Sequence, residues 1–185
     1  MKIMEGEGSI KTIYCLLGPS GSGKTTLGEY LKKTLKIEEL ISCTTRPKRR
    51  GEKQGDPYHF ISRDQFQNIE MIEAVEYSGN YYGLSKKELR NKLDNNNKVF
   101  VIIDKEGIKQ LKRIYPDIDI EVIYIYATID ECIERMSHRD TEEVLNRVIN
   151  MMKDEEFNNF DIADYIIRNK DLDKAKRQIE FIVKN

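Results

Sequence analysis

Short apolar runs alternate with stretches of helical spacing at both ends of the chain. The runs are rich in aliphatic and β-branched residues, which is typical of buried strands, and they lie at 12–17, 99–103, 121–127 and 165–167. Leu27, Leu31 and Leu35 recur at helical spacing after the first run, and residues 107–115 predict another helix. This alternation predicts an α/β fold, a three-layer α/β/α sandwich around a parallel sheet.

The segment 42–87 has a different character, with shorter elements and many turn residues. A strand at 39–44 leads into a loop that carries several cations, and a helix at 64–69 and strands at 71–77 and 81–83 follow. Ser85 and Glu88 have the spacing of a capping box, which predicts a helix that begins there and ends near Asn95. The segment is interpreted as a lobe inserted into the sheet.

Two aspartates are predicted to cap helices in the second half of the chain. Asp130 is expected to cap a helix that ends at Met136. Asp171 is expected to cap the last helix, whose inward-facing residues are predicted to be Leu172, Ala175, Ile179 and Ile182.

The composition limits the classes of function. Among 185 residues, 31 Lys and Arg balance 32 Asp and Glu, which disfavours a dedicated nucleic-acid binder. No apolar run approaches the roughly 20 residues that a bilayer crossing needs, so no membrane association is expected. The three cysteines are widely spaced and predict reduced thiols rather than a disulfide framework, and a cytoplasmic protein is expected.

A phosphate-binding motif lies between the first predicted strand and the first predicted helix. Residues Gly18-Pro19-Ser20-Gly21-Ser22-Gly23-Lys24-Thr25 match G-x-x-x-x-G-K-[ST] at every fixed position, and Thr26 follows. Backbone N–H groups of such a loop surround a phosphate, the Lys24 side chain reaches the β- and γ-phosphates, and the Thr25 hydroxyl ligates Mg²⁺. The motif predicts ATP binding and leaves the acceptor open.

Asp104 follows the strand at 99–103 and allows two interpretations. P-loop proteins usually carry a carboxylate near the metal at the end of a second core strand. The same residue type is also a common helix N-cap. Spacing alone does not separate these two roles.

Three blocks of sequence together resemble the guanylate kinase family from about Tyr14 to Val183. They are the phosphate motif, the segment Ser42-Cys43-Thr44-Thr45-Arg46-Pro47 with Arg49, Gly51-Glu52, Gly55 and Tyr58-His59-Phe60, and the segment Gly79-Asn80-Tyr81-Tyr82-Gly83. The resemblance implies a core at 1–41, 88–129 and 148–185, a GMP-binding lobe at 42–87 and a small helical lid at 130–147.

The resemblance also implies roles for individual residues. The phosphate of the monophosphate would be held by Arg46, Arg49, Tyr58 and Tyr82, and GMP would also meet Ser42, Glu73 and Asp104. Glu73 would accept hydrogen bonds from guanine N1–H and N2–H₂, which adenine does not offer. The lid arginines that would neutralise the transferring phosphoryl group are Arg135, Arg139 and Arg147, and Asn169 would lie near the adenine of ATP.

The sequence departs from the family pattern at three positions near these residues. Leu84 stands where the family usually has a serine or threonine that donates to guanine O6, although Ser85 follows directly. Ile102 and Glu106 replace an acidic residue and a glutamine on either side of Asp104. A lost hydrogen bond to O6 is expected to raise the KM for GMP by roughly tenfold.

The resulting hypothesis is in-line transfer of the ATP γ-phosphoryl group to GMP or dGMP, with Mg²⁺, in a monomer or homodimer. One alternative is a non-catalytic interaction module of the same fold, which the intact Lys24 disfavours. The other is a related kinase that acts on a different nucleotide or a sugar phosphate, which Leu84 leaves open.

Overall fold

The computed structural model describes residues 10–49, 51–77, 79–137, 144–145, 148–149, 152 and 156–185. Within these ranges the protein forms ten strands in two sheets, and the α-helices with defined bounds are six, together with one 3₁₀ helix. The strands are β1 (Thr12–Leu17), β2 (Glu38–Glu39), β3 (Cys43–Thr44), β4 (Lys53–Gln54), β5 (Pro57–Phe60), β6 (Met71–Tyr77), β7 (Asn80–Ser85), β8 (Lys98–Ile102), β9 (Asp119–Tyr126) and β10 (Tyr165–Arg168). The helices are α1 (Lys24–Lys33), α2 (Arg63–Gln67), α3 (Lys86–Asn95), α4 (Lys105–Ile114), α5 (Ile129–Met136) and α6 (Leu172–Lys184), and the 3₁₀ helix is Glu156–Ile162.

The first sheet is parallel throughout, in the order β10-β9-β1-β8-β2. All six residues of β1 are buried, because this strand lies at the centre of the sheet. One face of the sheet packs under α3 and α4, through residues such as Leu89 and Leu111, and the other packs under α1 and α6, through Leu27 and Ile179. The predicted three-layer α/β/α core is therefore confirmed.

The second sheet comes from the middle of the chain, in the order β4-β5-β3-β7-β6. Strand β3 pairs parallel with β5 and antiparallel with β7, and β6 pairs antiparallel with β7. This mixed sheet is short and is largely exposed along β4, so the segment is built differently from the core.

The single strand predicted at 39–44 is wrong. Glu38–Glu39 pair with β8 in the core sheet, whereas Cys43–Thr44 pair with β5 and β7 in the second sheet. Leu40 is buried between the two short strands. The chain therefore passes from one sheet to the other within a few residues, and it is not one continuous strand.

Two predictions about helix ends and faces also need correction. Helix α5 is capped by Thr128 rather than Asp130, because Thr128 and Glu131 form a complete capping box. Leu172 is 37% exposed, and the buried side of α6 is formed by Ala175, Ile179 and Val183. Both other predicted caps are confirmed, since the Ser85 and Asp171 side chains accept hydrogen bonds from the backbone N–H groups of residues 88 and 174.

None of the helices in the described ranges combines the length and the apolar character that a bilayer crossing requires.

Candidate active site

The phosphate motif forms a tight turn between β1 and α1. Gly23 is the N-cap of α1 with φ 101°, and a Cβ there would lie 2.2 Å from Asn169 Nδ2. A Cβ on Gly18, where φ is 144°, would lie 2.3 Å from the Ile125 carbonyl oxygen. Both positions therefore require glycine, because the backbone is left-handed and the neighbouring atoms leave no space.

The first turn of α1 offers positive charge and backbone donors. Helix α1 has no side-chain cap and no acidic residue in its first turn, so no carboxylate of that turn competes for its N–H groups. Lys24 Nζ donates to the Gly18 carbonyl at 2.6 Å and to the Pro19 carbonyl at 3.0 Å. Its ammonium group therefore lies over the loop, in the arrangement that suits a polyphosphate. Thr25 and Thr26 are exposed in the same turn.

Two residues distant in sequence support the loop from outside. The Asn169 side chain is 4% exposed and donates from Nδ2 to the Ser22 carbonyl at 2.7 Å. Arg135 Nη2 donates to the Asn169 carbonyl at 2.6 Å, and its Nη1 lies 3.3 Å from the Ser22 carbonyl oxygen. Asn169 and Arg135 therefore lie beside the phosphate loop, where Asn169 and Arg135 Nη1 both donate hydrogen bonds to the Ser22 carbonyl.

The four residues assigned to the acceptor phosphate lie on strands of the second sheet and on the loop between β3 and β4. The rings of Tyr58 and Tyr82 meet edge to face with centroids 5.7 Å apart, and Arg46 Cζ lies 5.8 Å from the centre of the Tyr58 ring. The Glu52 carboxylate raises the pKa of Arg46, and the nearby Tyr82 side chain adds a smaller effect in the same direction. Arg49 joins this group through the loop, where its N–H donates to the Glu52 carboxylate at 2.7 Å.

Glu52 is a member of this group to which the sequence assigned no role. Its two carboxylate oxygens accept hydrogen bonds from Arg46 Nη1 and Nη2 at 3.0 and 2.9 Å. The pair raises the pKa of Arg46 and lowers the pKa of Glu52. A glutamate six residues after an arginine is no signal of pairing in a loop, so only the folded geometry reveals this contact.

Glu73 is the most perturbed carboxylate near the acceptor residues. Burial, together with the nearby charge of Asp104, raises its pKa to about 7, while a hydrogen bond from Leu84 N at 3.0 Å acts in the opposite direction. The first turn of α4 packs against it, since a Cβ on Gly107 would lie 3.2 Å from Glu73 Cγ. A carboxylate in such surroundings is a candidate for ligand recognition.

The departure at residue 84 has a clear structural basis. Leu84 is fully buried in the same apolar cluster as Ile72 and Leu89. The Ser85 hydroxyl accepts a hydrogen bond from Glu88 N at 3.1 Å as the cap of α3, and Ser85 is 6% exposed. Ser85, which follows Leu84 directly, is therefore a buried cap of α3. Ser42 lies nearby, and its carbonyl accepts a hydrogen bond from His59 N.

Asp104 has the contacts of a helix cap. Its carboxylate accepts a hydrogen bond from Gly107 N at 2.7 Å, which confirms this one of its two interpretations. Within the described ranges, no group of three or more His, Cys, Asp and Glu residues has metal-binding geometry. Arg139 and Arg147 lie outside the described residues.

A parallel sheet with a phosphate loop between its central strand and the first helix defines the class of P-loop nucleotide-binding proteins. Comparisons with known proteins identify the family within this class. The family model described as guanylate kinase matches residues 10–185, so the chain belongs to the guanylate kinase family.

Individual relatives agree with this assignment. A guanylate kinase from Carboxydothermus hydrogenoformans is 38% identical over 173 residues, which cover 90% of this chain and 84% of that protein. A guanylate kinase from Fusobacterium nucleatum is 32% identical over 184 residues, which cover 96% and 98% of the two chains. The crystal structure of guanylate kinase from Anaplasma phagocytophilum superimposes with a TM-score of 0.69 at 25% identity and covers 96% of this chain and 86% of that one.

Proposed function

We propose that this protein is an enzyme that transfers the γ-phosphoryl group of ATP to GMP, giving ADP and GDP. The observation that carries the proposal is the phosphate loop with Lys24 in a chain of the guanylate kinase family. An intact loop of this kind also disfavours a non-catalytic interaction module, since a scaffold has no need of a lysine placed for a polyphosphate.

The donor nucleotide is assigned to the loop and the first turn of α1. Backbone N–H groups and Lys24 would bind its β- and γ-phosphates, and Arg135 and Asn169 would keep the loop in shape. Arg139 and Arg147 remain proposed lid residues on the basis of the family resemblance.

Mg²⁺ is the proposed cofactor, and the donor set fits it. Thr25 presents one exposed hydroxyl oxygen beside Lys24, and Mg²⁺ commonly takes one or two protein ligands and completes its shell with phosphate oxygens and water. When bound, it would neutralise charge on the transferring phosphates.

The acceptor is assigned to the lobe at 42–87. Arg46, Arg49, Tyr58 and Tyr82 would hold the phosphate of GMP, since arginine forks and phenol groups together match phosphate oxygens. Glu73 would accept from the guanine N1–H and N2–H₂ groups, with Asp104 and Ser42 beside it. An oxygen of the GMP phosphate then attacks the γ-phosphorus in line, the bond to the β-phosphate oxygen breaks, and ADP leaves.

Closure of the lobe and of the lid at 130–147 over the bound nucleotides is part of the proposal, because water would otherwise compete as acceptor. We also propose a cytoplasmic location, where ATP and GMP are present, which suits the three buried free cysteines.

An acceptor survey tests the proposal. Purified protein with ATP and Mg²⁺ is assayed for ADP release with GMP, dGMP, IMP, AMP, CMP and UMP. The proposal expects the highest kcat/KM with GMP or dGMP. Preference for AMP over GMP would remove the assignment of Glu73, and an absence of ADP release with every acceptor would reject the enzyme.

A further inference from the structure

Glu52 contacts both arginine positions that the acceptor phosphate is proposed to meet. Its carboxylate accepts from Arg46 Nη1 and Nη2 and from Arg49 N, at distances between 2.7 and 3.0 Å. The side chains of Arg46 and Glu52 are only 13% and 17% exposed, so water screens this pair less than a surface pair.

The contacts of Arg46 leave a defined part of its guanidinium group for a ligand. Nη1 donates to Glu52 at 3.0 Å and to the Pro47 carbonyl at 2.8 Å, and Nη2 donates to Glu52 at 2.9 Å. These contacts use three of the five guanidinium hydrogens. The two that remain, on Nε and Nη2, form a second fork on another edge. A fork of this shape can bind two phosphate oxygens.

Glu52 also fixes the backbone of the loop that carries Arg49. Glu52 N donates to the Arg49 carbonyl at 3.2 Å, while Arg49 N donates to the Glu52 carboxylate at 2.7 Å. These reciprocal hydrogen bonds close the turn at 49–52. The carboxylate is therefore part of the loop framework, and it is held by more contacts than a single exchangeable ion pair would have.

We infer that Glu52 is a positioning residue for the acceptor: it holds one edge of Arg46 and the turn at Arg49, so that the second fork of Arg46 and the Arg49 side chain meet the acceptor phosphate in a fixed arrangement. The inference rests on the proposed function. A competing role is chemically possible for any carboxylate beside arginines, namely occupation of the phosphate site, and this role predicts the opposite change in affinity.

The test compares Glu52→Gln and Glu52→Asp with wild type. Glutamine keeps the shape of the side chain and removes the charge of the carboxylate. Because one charge-assisted pair is weakened, the KM and the Kd for GMP should rise about tenfold. The kcat and the KM for ATP should change less than twofold. Glu52→Asp, which keeps the charge but shortens the side chain, should fall between the two proteins. Glu70→Gln is the matched control, because Glu70 lies in the same lobe, is 73% exposed and should leave all constants unchanged.

Guanosine separates positioning of the phosphate from general damage to the lobe. As a competitive inhibitor it lacks the phosphate, so its inhibition constant should be the same for wild type and Glu52→Gln. Equal weakening of guanosine and GMP would overturn the inference in favour of a merely structural role. Tighter GMP binding by Glu52→Gln, or unchanged GMP binding, would also overturn it. Wild-type protein without GMP-dependent ADP release would instead reject the proposed function itself.

Discussion

The phosphate loop at 18–25 and the lobe at 42–87 position their functional side chains through different kinds of hydrogen bond. Around the loop, the side chains of Lys24, Arg135 and Asn169 donate hydrogen bonds to main-chain carbonyls. In the lobe, functional side chains hydrogen-bond to other side chains, as Arg46 does to Glu52. A backbone site recognises phosphate in any triphosphate, whereas paired side chains can distinguish acceptors. Selectivity should therefore be changed by substitutions in the lobe, and the transfer chemistry by substitutions at the loop.

The largest expected effect is the loss of turnover in Lys24→Ala. This substitution removes the charge that lies over the loop carbonyls, and we expect kcat to fall by about 10³-fold or more, as for other groups that stabilise charge in phosphoryl transfer. Steady-state ADP release measures it. Lys33→Ala in the same helix, whose side chain is 76% exposed, should retain wild-type activity. Undiminished turnover in Lys24→Ala would show that the loop is not the donor site.

Glu73→Gln should change the acceptor and leave the donor site unaffected. In the proposed complex guanine would present two donors to this carboxylate, and loss of one good acceptor in a partly buried site costs about 2–3 kcal/mol, so kcat/KM for GMP should fall about 100-fold. The KM for ATP should stay within twofold of wild type. Glu76→Gln, on an exposed position of the same strand, is the control. An equal loss with GMP and AMP would mean that Glu73 does not read the base.

The pH dependence of GMP binding should show the raised pKa of Glu73. Because partial burial raises the pKa of this carboxylate to about 7, it is largely protonated in the free protein below that pH, and guanine binding would then require loss of the proton. The KM for GMP should rise by up to tenfold per pH unit below about 7 and be flat above it. Glu73→Gln serves as the control, since it keeps any pH dependence of the GMP phosphate. Parallel profiles for the two proteins would contradict the assignment.

The raised pKa of Glu73 also affects folding stability. Higher pH is expected to favour GMP binding but to lower the free energy of unfolding. The folded protein holds the proton of Glu73 more tightly than the unfolded chain, so this group contributes stability below its ordinary pKa, and the contribution is lost as pH rises through about 7. The free energy of unfolding, measured with urea, should therefore decrease less between pH 5 and pH 8 in Glu73→Gln than in wild type.

The smallest effect is expected at a residue that supports the donor loop without binding the nucleotide phosphates. Asn169→Ala removes the buried hydrogen bond to the Ser22 carbonyl, and we expect the KM for ATP to rise about tenfold while the KM for GMP changes little. A larger change in the KM for GMP would indicate that the two regions are more closely coupled than their contacts suggest.

The core was predictable because its pattern is local. After one polar residue at the start, strands β1 and β8 are continuous apolar runs. The cap at Ser85 follows from the spacing of Ser85 and Glu88. The break between β2 and β3 was not predicted, because it is defined by pairing partners distant in the chain, β8 for one strand and β5 and β7 for the other. Thr128 caps α5 in place of Asp130 through a capping box with Glu131, and this T-x-x-E spacing is a local signal that the sequence already carried.

In the candidate site as well, contiguous motifs were predictable from sequence and tertiary contacts were not. The phosphate loop is a contiguous motif, so its residues and its position between strand and helix followed from sequence. Glu52 was missed because its role depends on a loop fold that brings its carboxylate back to Arg46 and Arg49. Leu84 was interpreted as a changed contact to the base, whereas its side chain is fully buried in the apolar cluster. Tertiary contacts of this kind have no signature in spacing.

The most direct measurement of the central claim follows the phosphoryl group itself. ATP labelled with ³²P at the γ-position is incubated with the protein, Mg²⁺ and GMP, and the nucleotides are separated. The account predicts that the label appears in the β-phosphate of GDP, in an amount equal to the ADP formed, and that Lys24→Ala abolishes this transfer. Label released as inorganic phosphate, or retained in ATP while GMP is present, would contradict it.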